Sequence, residues 1–454
     1  MKNKNYEMDM TTGSLFPMIL MFSLPLIASS VLQLLFNAAD VVVVGRFAGS
    51  ESLAAVGSTS SLTNLLTNVF IGLSVGTNVV VANFYGAKKD KEVKSAVHTS
   101  IMLGIITGII LIIVGVLFAH PLLKWMGTPD DVIDYASLYM RIYFLGMPLQ
   151  MLYNFGSSIL KAVGDTKRPL YYLLFAGILN VILNLIFVIY FNMGVAGVAW
   201  ATVLSQIVST TLVMNCLIKS DSAIKLTLNE LKLDWVMVRR LATIGLPAGI
   251  QGSLFSLSNV MIQSSVNSFG SIVMAGNTAA QNIEGFVWVA MNSVAQTTVS
   301  FVGQNAGANK YDRVKKSILE CILLVTMVGL TLGNLAVLGS RFLIGLYSTD
   351  SNVIAYGMLR VKIICTGYCL CGIMDTLVGG LRGLGHAIIP TIISLIGACA
   401  LRIVYILTLF RVRHFLNELY FTYPVSWFVT AMAQMIVLII IYNKITKTIK
   451  TNLE

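Results

Sequence analysis

Charge is what this sequence has least of. Only 11% of its 454 residues are Asp, Glu, Lys or Arg, where a water-soluble domain carries about 25%. That deficit excludes an ordinary soluble fold. Cysteine is scarce as well. Its six copies (Cys216, Cys321, Cys365, Cys369, Cys371 and Cys399) all fall in apolar stretches, so no disulfide framework is implied. Cys365, Cys369 and Cys371 cluster, but no histidines stand near them at zinc-site spacing. The four histidines (His98, His120, His386 and His414) sit at the ends of apolar segments. They leave no obvious base for Ser74, whose surroundings Gly72-Leu73-Ser74-Val75-Gly76 formally match a hydrolase nucleophile pattern. That pattern requires a strand-to-helix turn. Here it lies inside an apolar segment, so small-residue helix packing is expected and enzymatic activity is not.

What is abundant is apolar surface: 56% hydrophobic residues and a mean hydropathy of +0.81. A bilayer accommodates this, one spanning helix needing about 20 mainly apolar residues. Breaks at Gly, Pro and charge clusters predict twelve spans, near 15–44, 53–83, 95–118, 132–157, 170–191, 195–218, 240–267, 277–303, 317–339, 352–379, 388–410 and 419–443. The first is read as a true span rather than a cleavable signal, because no small-residue cleavage pattern follows it. Pro25 and Pro247 each remove a backbone hydrogen bond and are expected to bend their helices.

With the N-terminus inside, 22 Lys and Arg residues fall on the cytoplasmic side and five outside, which places both termini in the cytoplasm. The net charge of +11 is therefore a topology signal with some attraction to anionic membrane lipids, and not a nucleic-acid footprint.

The two halves repeat. A shift of 221 residues carries Gly86 onto Gly307, Val93 onto Val314, Gly146 onto Gly367, Gly164 onto Gly385 and Pro169 onto Pro390; a shift of 222 carries Pro25 onto Pro247. Six helices separate equivalent points, so the repeat is parallel, about an axis along the membrane normal. The expectation is an all-α membrane protein of two pseudo-symmetric six-helix lobes. Residues 1–14 form a cytoplasmic tail, 15–218 the first lobe, 219–239 a cytoplasmic linker, 240–443 the second lobe and 444–454 a second tail. Gly104-x-x-x-Gly108 and Gly329-x-x-x-Gly333 fit close packing inside each lobe.

Asp40 lies in such a span, where a carboxylate costs at least about 2.5–3.5 kcal/mol. Gln33, Asn37 and Asp40 share one helix face, which must point away from lipid. Asn154, Asn180, Asn184 and Thr202 add polar groups to the first lobe. In the second, Ser256, Asn259, Gln263 and Asn267 form a stripe on the seventh segment. Gln281, Glu284, Asn292 and Gln296, with Trp288 among them, form another on the eighth. Uncharged donors and acceptors beside aromatics suit amphiphilic organic molecules. Glu284 lies near the outer end of its segment, where an interfacial position is expected. Asp375 ends the tenth segment and has Arg382 as a partner within reach.

The stretches "FNAADVVVVGRFAGSESLAAVG" (36–57), "VGTNVVVANFYGAKK" (75–89), "LNVILNLIFVIYFNMGVAGVAWATVLSQ" (179–206), "GLPAGIQGSLFSLSNV" (245–260), "SFVGQNAGA" (300–308) and "LRGLG" (381–385) together resemble the MATE family of multidrug and toxic-compound extrusion transporters, its DinF-like branch more than its NorM-like one. The resemblance implies export of drug-like, often cationic, compounds against inward H⁺ or Na⁺. By it, Asp40 matches the coupling aspartate, Asn180 and Thr202 its polar partners, and Asn154 a polar fourth-helix position. Gln33, Asn37, Ser256, Asn259, Gln263, Gln281, Glu284, Trp288 and Asp375 become cavity candidates. Asn184 stands where such members commonly carry a second aspartate, and an amide cannot release a proton. Na⁺ held by Asp40, Asn180, Asn184 and Thr202 is then as reasonable as H⁺. No cofactor is expected, and a monomer in the cell membrane is. The alternative is a flippase for a lipid-linked oligosaccharide, for which Arg141, Arg360, Lys362 and Arg402 are the cationic candidates. A non-transporting sensor finds no support in an appended signalling domain.

Overall fold

The computed structural model describes residues 6–451, apart from the side chains of Ser50 and Lys450; Lys2, Lys4 and the last three residues lie outside it. The described residues form twelve long helical segments, besides short helical pieces at Leu228–Glu230 and Ser340–Gly345. The first six are Leu15–Phe47, Ser50–Gly86, Asp90–Trp125, Ile133–Leu145 with Met147–Ala162, Lys167–Leu185 with Ile186–Tyr190, and Gly194–Ile218. The second six are Trp235–Asn267, Ser271–Gly307, Tyr311–Leu338, Ser351–Thr366 with Tyr368–Gly383, Ile388–Arg413 and Leu416–Thr451. Eight helices are long and apolar enough to cross a membrane, nine if the tenth segment's bent pair counts as one span. The fourth, seventh and eighth segments are present as helices but are not among those nine. Leu117, Phe175, Leu335, Ile396 and Ile440 are more than half exposed, the surface a lipid-facing bundle presents.

Two segments break where no break was expected. Pro25 and Pro247 lie inside unbroken helices. The fourth and tenth segments instead break at Gly146 and Gly367, the latter with a bend of 45°. These two glycines are related by the repeat. The same shift relates the left-handed positions Gly49 and Gly270, Lys88 and Asn309, and Gly164 and Gly385, so the repeat extends to backbone conformation. π-helical turns also recur, at Ile186–Tyr190 and Ile406–Phe410.

The chain forms two compact units. One comprises Leu24–Ser253 and the segment up to Asp9; the other comprises Met10–Ser23 and the chain from Leu254 onward. Their boundaries fall inside the first and seventh helices rather than at the linker. In the first unit the linker is pinned to the third helix. The Thr227 N–H donates to His98 Nε2 (3.1 Å), Lys94 pairs with Glu230, and Ser95 Oγ donates to Asp234 (2.9 Å). The Ser95 hydrogen bond, with the N–H groups of Val236 and Met237, holds the Asp234 carboxyl below the usual carboxylate range. In the second unit the N-terminal segment is held by its carbonyls. Met10 accepts from Asn305 Nδ2 (3.1 Å) and Arg313 Nη2 (3.1 Å), and Thr11 from Lys310 Nζ (2.8 Å).

Glycine sets the closest approach in the first unit. Gly72 and Gly76 of the second helix lie against the backbone of Leu241, Gly245 and Gly249 on the seventh, leaving no room for a Cβ. Ser74 is buried and donates to the Ile71 carbonyl (2.7 Å). This is helix packing by small residues, not a nucleophile turn. Gly72→Leu is expected to force the two helices apart and to cost about 1–3 kcal/mol, read as a lower thermal midpoint in detergent. Ser74→Ala should leave that midpoint and function unchanged.

Candidate functional site

The first unit brings four expected residues together. Asn180 and Asn184 stand one turn apart on the fifth segment, both buried, immediately before its π-helical turn. Such turns are frequent at functional sites. Asp40 approaches from the first helix and Thr202 from the sixth. Asn184 Nδ2 donates to Asp40 Oδ1 and to Asn180 Oδ1 (3.2 Å). Asn180 Nδ2 donates to Thr202 Oγ1 (3.4 Å), which itself donates to the Val198 carbonyl (3.0 Å). Asn184 Oδ1 is buried and receives no hydrogen bond among the described residues. No ion pair within 4.0 Å involves Asp40 among the described residues. Tyr139 and Tyr143, stacked at 5.9 Å, lie within electrostatic reach of its carboxylate. Sequence reasoning missed them; aromatic residues one turn apart in an apolar span look like core.

Carboxylate, amide and hydroxyl groups linked in one network, with no cationic side chain among them, offer oxygen donors of the hard type. An orphaned buried acceptor ordinarily costs about 1–3 kcal/mol, and a small cation would satisfy it. Oxygen donors of this type are the kind Na⁺ takes, and a carboxylate can equally take a proton. Among the described residues no cluster of His, Cys, Asp and Glu suits a tightly held metal.

Other candidates are placed differently. Gln33 and Asn37 are exposed on the helix that carries Asp40, and Asn154 is half-buried. No hydrogen bond among the described residues ties these three to the Asp40 cluster. In the second unit Asn259 is exposed, Ser256 is half-buried, and Asp375 is half-buried within reach of Arg382. Trp288 is 43% exposed.

Glu284 is not interfacial. It is buried and forked onto Arg360, with Nε to Oε1 at 2.9 Å and Nη2 to Oε2 at 2.8 Å. Arg360 Nη1 donates to Asn277 Oδ1 (2.8 Å), which also accepts from the Tyr420 hydroxyl (3.2 Å). Asn277 Nδ2 donates to Gln263 Oε1 (2.7 Å), and Gln281 Nε2 donates to the same oxygen (3.3 Å). Nothing local in the sequence paired Glu284 with a residue 76 positions away; the signal available was that Arg360, too, lies within a span. Arg402 is likewise buried, donating to Ser426 Oγ (2.8 Å) and stacked on Tyr423 (4.2 Å).

Comparison with known proteins decides the family. The MatE family model matches residues 25–186 and again 247–408, two equal stretches that begin at Pro25 and Pro247. The chain belongs to the MatE family. This MatE protein is 30% identical over 382 residues to the probable multidrug resistance protein YoeA of Bacillus subtilis, covering 83% of this chain and 82% of that one. It is 27% identical to the probable multidrug resistance protein YpnP of the same organism, over 87% and 88% of the two chains. Its fold matches a solved crystal structure of MATE in the straight conformation with a TM-score of 0.91, at 21% identity, over 98% of this chain and 99% of that one. Family membership makes it a multi-pass membrane transporter and not an enzyme.

Proposed function

We propose that this MatE protein is a DinF-like secondary antiporter of the cell membrane. It exports drug-like, often cationic amphiphilic compounds in exchange for inward Na⁺ or H⁺, as a monomer with both termini in the cytoplasm. The observation that carries the reading is the Asp40 cluster: one carboxylate in a span and, among the described residues, no cationic side chain paired with it and a buried amide oxygen of its partner Asn184 left unsatisfied. Loading by a cation neutralises the carboxylate and supplies what Asn184 Oδ1 lacks. Export follows if the loaded and empty forms favour different orientations of the two lobes, since coupling requires a difference in affinity between states. The names of YoeA and YpnP support a drug-like substrate.

The flippase alternative needs cationic groups converging on a pyrophosphate. Arg360 is committed to Glu284 and Asn277, Arg402 is stacked on Tyr423 and bonded to Ser426, and Arg141 and Lys362 are exposed. That dispersal favours the exporter.

The test is efflux of a cationic dye from inverted vesicles under a Na⁺ gradient and a pH gradient imposed separately. At least one gradient should drive dye movement several-fold above vesicles lacking the protein. Absence of any gradient-driven movement, together with complementation of a flippase-deficient strain, would reverse the assignment.

A further inference from the structure

A guanidinium can only donate hydrogen bonds, and in the second unit that fact propagates to the surface. Arg360, buried and forked onto Glu284, presents its remaining donor Nη1 to Asn277 (2.8 Å). The Asn277 atom facing it must therefore be oxygen, a choice reinforced by the Tyr420 hydroxyl on the same atom (3.2 Å). The other end of the amide is then a donor, and it meets Gln263 (2.7 Å), which must present Oε1. That oxygen fixes two further groups. Gln281 approaches it with Nε2 (3.3 Å), and Gln263 is left with its own Nε2 toward Asn267 Oδ1 (2.8 Å). Amide orientations, ordinarily ambiguous, are set here by the network. Gln281 is exposed, and its carbonyl oxygen Oε1 accepts no hydrogen bond from the described residues. Trp288 lies two turns further along the same face of the helix and is 43% exposed.

We infer that Gln281 Oε1 and the Trp288 ring form a recognition subsite for an organic cation bearing an N–H group, with Arg360 and Asn277 as positioning residues that hold the Gln281 amide oxygen outward. The oxygen accepts from the cation's N–H, and the indole face attracts its positive charge. This rests on the exporter reading and names the chemistry of its substrate: a protonated or amino-substituted aromatic cation is preferred over one of equal size with neither charge nor donor.

The experiment measures ethidium binding to the purified full-length protein by fluorescence, with dye efflux in vesicles followed in parallel. Gln281→Leu removes the acceptor and should raise the Kd about tenfold, the scale of one hydrogen bond to a charged group. Gln281→Glu keeps an acceptor there and should bind at least as tightly as the wild type. Asn277→Asp keeps Arg360 paired but removes the amide donor. Gln263 is then free to turn its Nε2 inward and Gln281 to turn its NH₂ outward, so the Kd should rise as in Gln281→Leu. Gln263→Leu, at a half-buried position, releases Gln281 without touching the ion pair and should do the same. An unchanged Kd in both Asn277→Asp and Gln263→Leu would overturn the relay, and an unchanged Kd in Gln281→Leu would overturn the subsite. Wild-type vesicles that still pump ethidium in those cases would leave the exporter reading standing; wild-type vesicles that pump it under neither gradient would remove that reading itself.

Discussion

Asp40→Asn should abolish gradient-driven export, by at least about a hundredfold, while leaving membrane insertion and thermal midpoint near wild type. The side chains are nearly isosteric, and the hydrogen-bond partner Asn184 remains in place. What disappears is the charge. An ion can bias a conformational equilibrium only through the free energy by which it prefers one state, and about 2.7 kcal/mol of preference is needed for a hundredfold effect. The remaining groups of the cluster are neutral amides and a hydroxyl, which neither exchange a proton in the physiological range nor neutralise Na⁺. Dye efflux by cells or vesicles carrying the variant, normalised to protein in the membrane, checks this; full resistance in the variant would place the coupling elsewhere. Asn184→Asp makes the complementary case. It adds a second carboxylate beside the first, and two acids that close cannot both ionise readily. Proton dependence is therefore expected to strengthen.

The second large effect concerns stability. Arg360→Leu strands Glu284 in a buried site and should cost about 3–5 kcal/mol, as should Glu284→Leu, because each leaves an uncompensated charge. The double variant should recover most of that loss, since removing both partners removes both desolvation penalties. Thermal unfolding of the four proteins in detergent reads the coupling directly. Additive losses would mean that the pair is not the closed unit its geometry describes.

The sequence carried the parts of the fold that depend on local pattern. Twelve helical segments, their order and the 221-residue repeat were legible because helix length and turn residues are written locally. The repeat's glycines at 49 and 270 and at 164 and 385 take positive φ, a conformation that glycine adopts at little cost. The breaks within the fourth and tenth segments were not foreseen, because a glycine inside an apolar run leaves little mark. Pro25 and Pro247 sit inside helices without interrupting them, whereas Gly146 and Gly367 end one helix and begin the next. The division of the first and seventh helices between the two compact units left no local trace at all.

The same split holds for the candidate site. Asp40 announced itself because a carboxylate in an apolar run has no cheap explanation; Asn180, Asn184 and Thr202 stood out as polar groups inside spans, and the family resemblance tied Asn180 and Thr202 to Asp40. The Glu284–Arg360–Asn277–Gln263 relay was hidden because its members come from the seventh, eighth and tenth segments, and polarity inside a span says only that a partner exists. Lys310 and Arg313 entered only as basic residues on the cytoplasmic side, and Gln304 and Asn305 only as part of the stretch "SFVGQNAGA". Asn305, Lys310 and Arg313 capture the carbonyls of Met10 and Thr11, and Gln304 Oε1 accepts from the Met10 N–H, contacts that depend on a segment some 300 residues earlier.

The central claim is that one ion-binding carboxylate on the first helix drives export, and reversal of the cycle tests it most directly. Proteoliposomes containing the wild type are loaded with a cationic dye and diluted, so that dye leaves down its own gradient, while ²²Na⁺ uptake and internal pH are followed together. Dye exit from the wild type should draw Na⁺ or protons in the opposite direction, and Asp40→Asn should eliminate that ion movement. Equal ion movement in the two proteins would contradict the account.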